Sequence, residues 1–157
     1  MSQAMPPQTE IGYAPPTVRQ FSVFLDNRVG KLLELVQLFD DDPHLHVAAF
    51  SVLDSSDHAV VRLIINNADA ARSILRRKQY TFSEHDLLVV EVDGEQSLTR
   101  MCLYLLNVEL NIDFAYPVMV RKDDGGAMIA LAVDDPTLGG QILRRKGFRL
   151  MGEEDLN

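Results

Sequence analysis

The residues best suited to contact a small molecule lie in one short turn, Asp26 to Leu32. Gly30 has no side chain and therefore lets the backbone approach a ligand closely. The N–H groups at the start of the helix predicted after it favour a carboxylate. Asn27 offers both a hydrogen-bond donor and an acceptor, and Asp26 could hold an ammonium group. The turn therefore combines the groups that bind a small polar ligand.

Two predicted elements hold this turn in place. Residues 18–26 alternate in the manner of a strand, with Phe21, Val23 and Leu25 on one face. The apolar residues of the next segment recur at helical spacing from Leu32 to Phe39. Two β-rich runs, a second helix ending near Lys78 and a short strand from Tyr80 follow. The predicted order is strand, helix, strand, strand, helix, strand.

The same order then repeats. The sequence Ile-Leu-Arg-Arg-Lys at 74–78 recurs at 142–146, and the apolar positions of the preceding elements match in the same order. We therefore predict an α+β protein of two tandem ferredoxin-like βαββαβ modules, each an antiparallel sheet with both helices on one face. The predicted divisions are a flexible, proline-rich tail at 1–17 and modules at 18–85 and 86–157. Two modules so closely joined are expected to share a core.

Composition limits the possible functions. The chain has 15 Lys and Arg against 23 Asp and Glu, a formal net charge of −8, which argues against nucleic acid and anionic lipid as partners. It has one cysteine, Cys102, which excludes an internal disulfide and fits a cytoplasmic protein. No apolar run is long enough to span a membrane. We also find no context for a catalytic triad or an activated cysteine, and so expect no catalytic residues and no enzyme.

The turn resembles the D/E-x-x-P-G-x-L motif of ACT domains, a family of amino-acid-sensing regulatory modules. Its match is closest to the Asn-Arg-Pro-Gly turn in the serine-sensing domain of phosphoglycerate dehydrogenases, with Val29 in place of the proline. The Asn-Ile-x opening of the family's second strand is matched by Asn111 to Asp113. The turn of the second module, Asp93 to Leu98, is one residue shorter and lacks the Pro-Gly step.

In ACT proteins the ligand lies between the turn of one module and the second strand of the other. The resemblance therefore implies two ligand sites. The first joins the first turn to the second module's strand, through Asp26, Asn27, Val29, Gly30, Lys31, Leu32, Asn111, Asp113 and Ala115. The second, which departs further from the motif, joins Asp93, Gly94, Ser97 and Leu98 to His46, Ala48 and Phe50.

The resemblance further implies a non-catalytic regulatory protein without cofactors. It would bind an amino acid or similar small metabolite and modulate an amino-acid biosynthetic enzyme, as the small regulatory subunits of acetolactate synthase do. A homodimer is expected, since a twofold pair is the commonest assembly.

Two alternatives stay open. The protein could be a structural or protein-interaction module that has lost its ligand. It could also be a metal-responsive regulator that uses His44 and His46, although their spacing favours a solvated loop and we predict no metal site. Cys102 falls on the apolar stripe of its predicted helix, which favours a small buried residue over a nucleophile.

Overall fold

The structure is a computed structural model that describes residues 8–9, 12–26, 28–55, 57–120 and 126–157. The sequence Asp-Asp-Gly-Gly at 123–126 predicts a hairpin turn, and it falls largely outside these ranges. The elements are β1 Gln8–Thr9, β2 Gly12–Tyr13, β3 Val18–Asp26, α1 Lys31–Asp40, β4 Val47–Asp54, β5 His58–Ile65, α2 Ala68–Arg77, β6 Thr81–Val92, α3 Leu98–Asn107, β7 Ile112–Val118, β8 Ala127–Val133, α4 Pro136–Arg145, β9 Leu150–Met151 and a 3-10 helix Glu153–Leu156.

The main sheet confirms the prediction of two ferredoxin-like modules. Its strands run in the order β4-β5-β3-β6-β8-β7, and β9 also pairs with β6. All these pairings are antiparallel. In each module the first strand thus lies between the third and the fourth, with the second strand at the edge.

The long strand β6 belongs to both modules. Its first half, Thr81 to Leu87, pairs with β3 as the fourth strand of the first module. Its second half, Leu88 to Val92, pairs with β8 as the first strand of the second module. The predicted boundary between His85 and Asp86 therefore falls inside one continuous strand, which joins the modules without a linker.

One face of the sheet packs against the helices. Since successive strand residues point to opposite faces, every second residue of a strand contributes to this packing. In the first module Phe21, Val23 and Leu25 of β3 pack with Leu35 and Phe39 of α1. The equivalent cluster of the second module is formed by Leu88, Val90, Met101, Leu105, Leu131, Val133, Leu143 and Phe148.

The other face curls inward and forms a core between the modules. This core contains Val18, Ala48, Ala49, Ile64, Leu87, Val89, Tyr116, Val118, Met128, Ala130, Met151 and Leu156. The curl brings β4 against β7, the second strands of the two modules. The backbone N–H of Met119 donates a 2.7 Å hydrogen bond to the carbonyl of Ala48 across this seam.

Two details of the helices bear on function. Cys102 lies on the exposed side of α3, so its predicted burial is wrong. Met101 and Leu105 carry the buried stripe of that helix instead. Among the described helices, none has the length and apolar composition needed to cross a membrane.

Candidate functional site

The residue before α1 is Gly30, which has no side chain with which to cap the helix. It has φ = 90°, a left-handed conformation that favours glycine. The N–H of Lys31 donates a 3.3 Å hydrogen bond to the carbonyl of Arg28. The N–H of Arg28 donates a 2.8 Å hydrogen bond to the carbonyl of Asp26. No side chain of the described residues accepts from the N–H groups at the start of α1. The N–H of Lys31 is thus bonded within the turn, and the positive end of the helix dipole lies at the exposed Gly30.

The predicted residues of this turn are mostly exposed. Asp26, Val29 and Gly30 are exposed, Leu32 is exposed at the first turn of α1, and Lys31 is half-buried. The Lys31 ammonium lies 3.4 Å from the Glu34 carboxylate. Asn27 lies outside the described residues.

The start of β7 lies at the same end of the molecule as this turn. Asp26, the last residue of β3, pairs with His58, and Asp54 at the end of β4 pairs with Ala59, so both strands end together. The Met119–Ala48 hydrogen bond ties the end of β7 to the start of β4.

A second contact fixes the direction of β7. Phe114, near its start, lies under Arg62, which pairs with Ser51 in the second half of β4. The two second strands therefore run antiparallel, and the exposed residues Asn111, Asp113 and Ala115 are brought toward the end of β4.

The turn of the second predicted site satisfies its own backbone. The Asp93 carboxylate accepts from the N–H groups of Glu95 and Gln96 at 2.8 and 2.7 Å. The Ser97 hydroxyl caps α3 by accepting from the N–H of Arg100 at 3.2 Å. The structure thus uses internally the polar groups that a ligand would need here. Gly94 and Leu98 are exposed beside them.

Two of the three residues predicted to complete the second site from the first module, His46 and Ala48, already contact other parts of the protein. His46 Nε2 lies 2.6 Å from the carbonyl oxygen of Leu156, in the 3-10 helix at the end of the chain. Ala48 is fully buried in the core between the modules, whereas Phe50 is exposed. The Glu153 carboxylate accepts from the N–H of Ala68 at 2.5 Å and so covers the start of α2.

A buried polar contact between the modules was missed by the sequence argument. The Tyr116 hydroxyl donates a 2.6 Å hydrogen bond to Gln20 Oε1, and Gln20 is fully buried. Burial raises the pKa of Tyr116, so that the hydroxyl stays a donor. The polar residues Gln20 and Ser22 alternate along β3 as on a solvent-facing strand, and only the curl of the sheet buries them.

The described residues contain no group of three or more His, Cys, Asp or Glu side chains arranged to hold a metal ion. His44 is exposed, and its N–H bonds to the Asp42 carboxylate at 2.9 Å.

A family model described as an ACT domain pair matches residues 16–156. The chain belongs to this family. Its two modules are therefore ACT domains, which are regulatory units, and the likeness inferred from the β3–α1 turn holds at the level of the family.

Two solved structures share the fold. Protein BT0572 from Bacteroides thetaiotaomicron has a TM-score of 0.79 at 18% identity, covering 90% of this chain and 96% of that one. The ligand-free regulatory subunit of aspartate kinase from Thermus thermophilus has a TM-score of 0.54 at 7% identity, covering 85% of this chain and 94% of that one. No curated protein matches the sequence.

Proposed function

We propose that the protein binds an amino acid between the β3–α1 turn and the start of β7, and that binding regulates a partner enzyme. The observation that supports this most is the start of α1 at Gly30, where no side chain of the described residues accepts from the N–H groups of the helix. A helix start with free N–H groups is suited to a carboxylate. The capped start of α3 at Ser97 offers no equivalent, so we propose one ligand site per chain, at the first module.

Each part of the turn has a proposed role. The ligand's carboxylate accepts from the first N–H groups of α1, beside Gly30. Its ammonium is held by Asp26, with Asp113 of β7 as the second carboxylate. Because Asp26 and Asp113 belong to different modules, a ligand held by both would stabilise one packing of β4 against β7.

Regulation follows from that packing. A ligand shifts a conformational equilibrium only as far as its affinity differs between the states. A ligand that bridges the modules meets this condition, because its contacts depend on how β7 lies against β4. We propose an enzyme of amino-acid biosynthesis as the partner. The Thermus thermophilus protein of the same fold is the regulatory subunit of aspartate kinase, which agrees with such a role.

The first experiment is a thermal-shift screen of the full chain against the twenty amino acids, followed by calorimetry on any hit. A ligand at 100 times its Kd should add about 2.7 kcal/mol to the free energy of unfolding. The Asp26→Asn variant should lose the shift, whereas the control Asp40→Asn, at the exposed end of α1, should keep it. No shift from any amino acid on the folded protein would overturn the proposal.

A second candidate function is a protein-interaction module without a ligand. It is favoured by the exposed apolar residues near the turn, which are Val29, Leu33, Phe50, Val52 and Leu53. In that case the amino-acid screen gives no shift, and Leu33→Ser abolishes self-association measured by ultracentrifugation without lowering thermal stability.

A further inference from the structure

Four polar residues form a straight row across the face of the first module's sheet that the helices do not cover. Ser51 of β4 pairs with Arg62 of β5, Arg62 pairs with Ser22 of β3, and Ser22 pairs with Ser83 of β6. Paired residues in an antiparallel sheet point to the same face. Ser22 is buried, with 6% of its surface exposed, and the other three are half-buried. We call these four residues the polar row.

The guanidinium of Arg62 is oriented but not neutralised. Its central carbon lies 3.6 Å from the centre of the Phe114 ring, a stacking distance that directs the N–H bonds away from the ring. Among the described residues no carboxylate forms an ion pair with Arg62. Asp26 lies on the same face of β3 but four residues beyond Ser22, about 13 Å along the strand.

The Ser22 hydroxyl of the polar row keeps a donor available. The Ser22 oxygen accepts a 3.1 Å hydrogen bond from Gln20 Nε2, which leaves its own O–H free to donate. Ser83 Oγ lies 3.3 Å from His85 Nε2. Guanidinium and hydroxyl donors on adjacent strands suit an anion with several oxygens.

The second module shows that the fold does not require polar residues here. The equivalent row is Tyr116 of β7, Ala130 of β8, Val89 of β6 and Met151 of β9, paired in the same order. All four are buried in the core between the modules. The duplicated row therefore carries no charge and is buried in one module, whereas in the other it contains the cationic Arg62 and is partly exposed.

The row next to the polar row supplies apolar surface. Leu53 pairs with Val60, Val60 with Phe24, and Phe24 with Thr81. Leu53 and Phe24 are 48% and 45% exposed. An anion held by Arg62 would therefore have room for an apolar group against Phe24.

We propose that the polar row binds a small organic anion, a carboxylate or a phosphate ester with an apolar body. Arg62 pairs with the anion's oxygens, the hydroxyl of Ser22 on the neighbouring strand donates to them, and Phe24 contacts the apolar part. This site lies on the face of the sheet opposite α1. It is therefore separate from the amino-acid site proposed at Gly30.

The test is calorimetric titration of the full chain with two probes, phenyl phosphate and phenylacetate. They share an aromatic body and separate phosphate from carboxylate recognition. We expect saturable, one-to-one binding of at least one probe. Arg62→Gln should weaken it at least about tenfold, because a bidentate charged contact is lost, and Arg62→Lys should recover part of the loss.

Two controls separate this site from general charge and from the amino-acid site. Arg144→Gln, at the exposed end of α4, removes the same charge elsewhere and should change the Kd by less than about twofold. Asp26→Asn should also leave probe binding intact even where it abolishes an amino-acid response. Unfolding midpoints of Arg62→Gln and wild type are compared to confirm folding. No saturation by either probe, or equal weakening in Arg62→Gln and Arg144→Gln, would overturn the proposal.

Discussion

The turns that precede α1 and α3 occupy equivalent places in the two modules but satisfy their backbone groups differently. The first turn ends in Gly30 with a left-handed backbone and no side-chain cap. In the second, Ser97 caps the helix and Asp93 accepts from two N–H groups. In the second module, the turn's own side chains therefore bind its backbone N–H groups. In the other copy, no described side chain accepts from the N–H groups at the start of the helix.

The two modules also differ on the face of the sheet that lies opposite the helices. The row through Val89 and Ala130 is buried between the modules, whereas the row through Ser22 and Arg62 is polar and partly open. The second module therefore supplies most of the apolar packing at this level of the sheet. Among the described residues, no side chain caps the turn of the first module and no carboxylate pairs with its Arg62 guanidinium.

The largest change in stability is expected when Val89 of the second module is replaced by serine, the residue at the equivalent position of the first module. Val89 is fully buried at the position equivalent to Ser22. Val89→Ser should lower the free energy of unfolding by about 2–4 kcal/mol, because it removes buried apolar surface and buries a hydroxyl. Chemical denaturation measures this directly.

The comparison change in the polar row of the first module is Ser51→Val, which should alter stability by less than about 0.5 kcal/mol at this half-buried position. If Val89→Ser and Ser51→Val lowered the free energy of unfolding equally, the difference in burial between the two rows would be contradicted.

A smaller effect separates the glycines of the two turns. An added Cβ meets no atom within 4 Å at Gly30 or at Gly94, so steric overlap plays no part at either position. Gly30 has a positive φ, and Gly30→Ala should therefore cost about 1–2 kcal/mol of backbone strain.

Gly94 does not have a positive φ. Gly94→Ala should be neutral or stabilising by up to about 1 kcal/mol, because it restricts the unfolded chain. Denaturation curves of the two variants, measured side by side, test this. Equal stability would mean that the first turn does not need its left-handed residue.

The cap of α3 should contribute slightly less. Ser97→Ala removes the acceptor for the N–H of Arg100 and should destabilise the protein by about 1 kcal/mol, whereas Ser97→Asp should restore the cap. Unchanged stability of Ser97→Ala would contradict the contrast with Gly30, since the start of α3 would then not depend on a side chain.

Local patterns predicted the elements well. The alternation of Phe21, Val23 and Leu25 marked a strand that faces the helices, and these residues are buried as expected. The repeated sequence at 74–78 and 142–146 marked two modules with the same strand order. Asn67 is a residue type that favours the start of a helix, and its side chain accepts from the N–H of Ala70 at the start of α2. All of these depend on contacts within one module.

Features that depend on how the modules meet could not be predicted. Gln20 and Ser22 look solvent-facing in sequence, but the curl of the sheet buries both. His46 contacts the end of the chain through Leu156, a contact between residues far apart in sequence. The stacking of Arg62 on Phe114 joins side chains of different modules, and no local pattern around either residue predicts it.

An ion pair in the first module has no counterpart in the second. Arg72 of α2 donates from Nη2 to Glu84 Oε1 of β6 at 2.6 Å and from Nε to Oε2 at 3.0 Å. Counted from the repeated sequence and the strand pairing, the equivalent positions are Gly140 and Gly152. Gly140 has Pro15 packed against it, with no room for a side chain.

The smallest effect is expected from breaking this ion pair, because it lies at the surface. The hydrogen bond from Arg72 lowers the pKa of Glu84 below its usual value of 4.5, since it stabilises the carboxylate. The pair therefore contributes stability above the unfolded-state pKa and loses it as the pH falls through the folded-state pKa. Glu84→Gln should thus be slightly less stable than wild type at neutral pH, with the difference vanishing between about pH 5 and pH 3. Glu95→Gln, an exposed carboxylate in the second turn, is the control and should show no such convergence in denaturation curves across this range. Parallel stability curves for wild type and Glu84→Gln would mean that the ion pair does not contribute to holding α2 against β6.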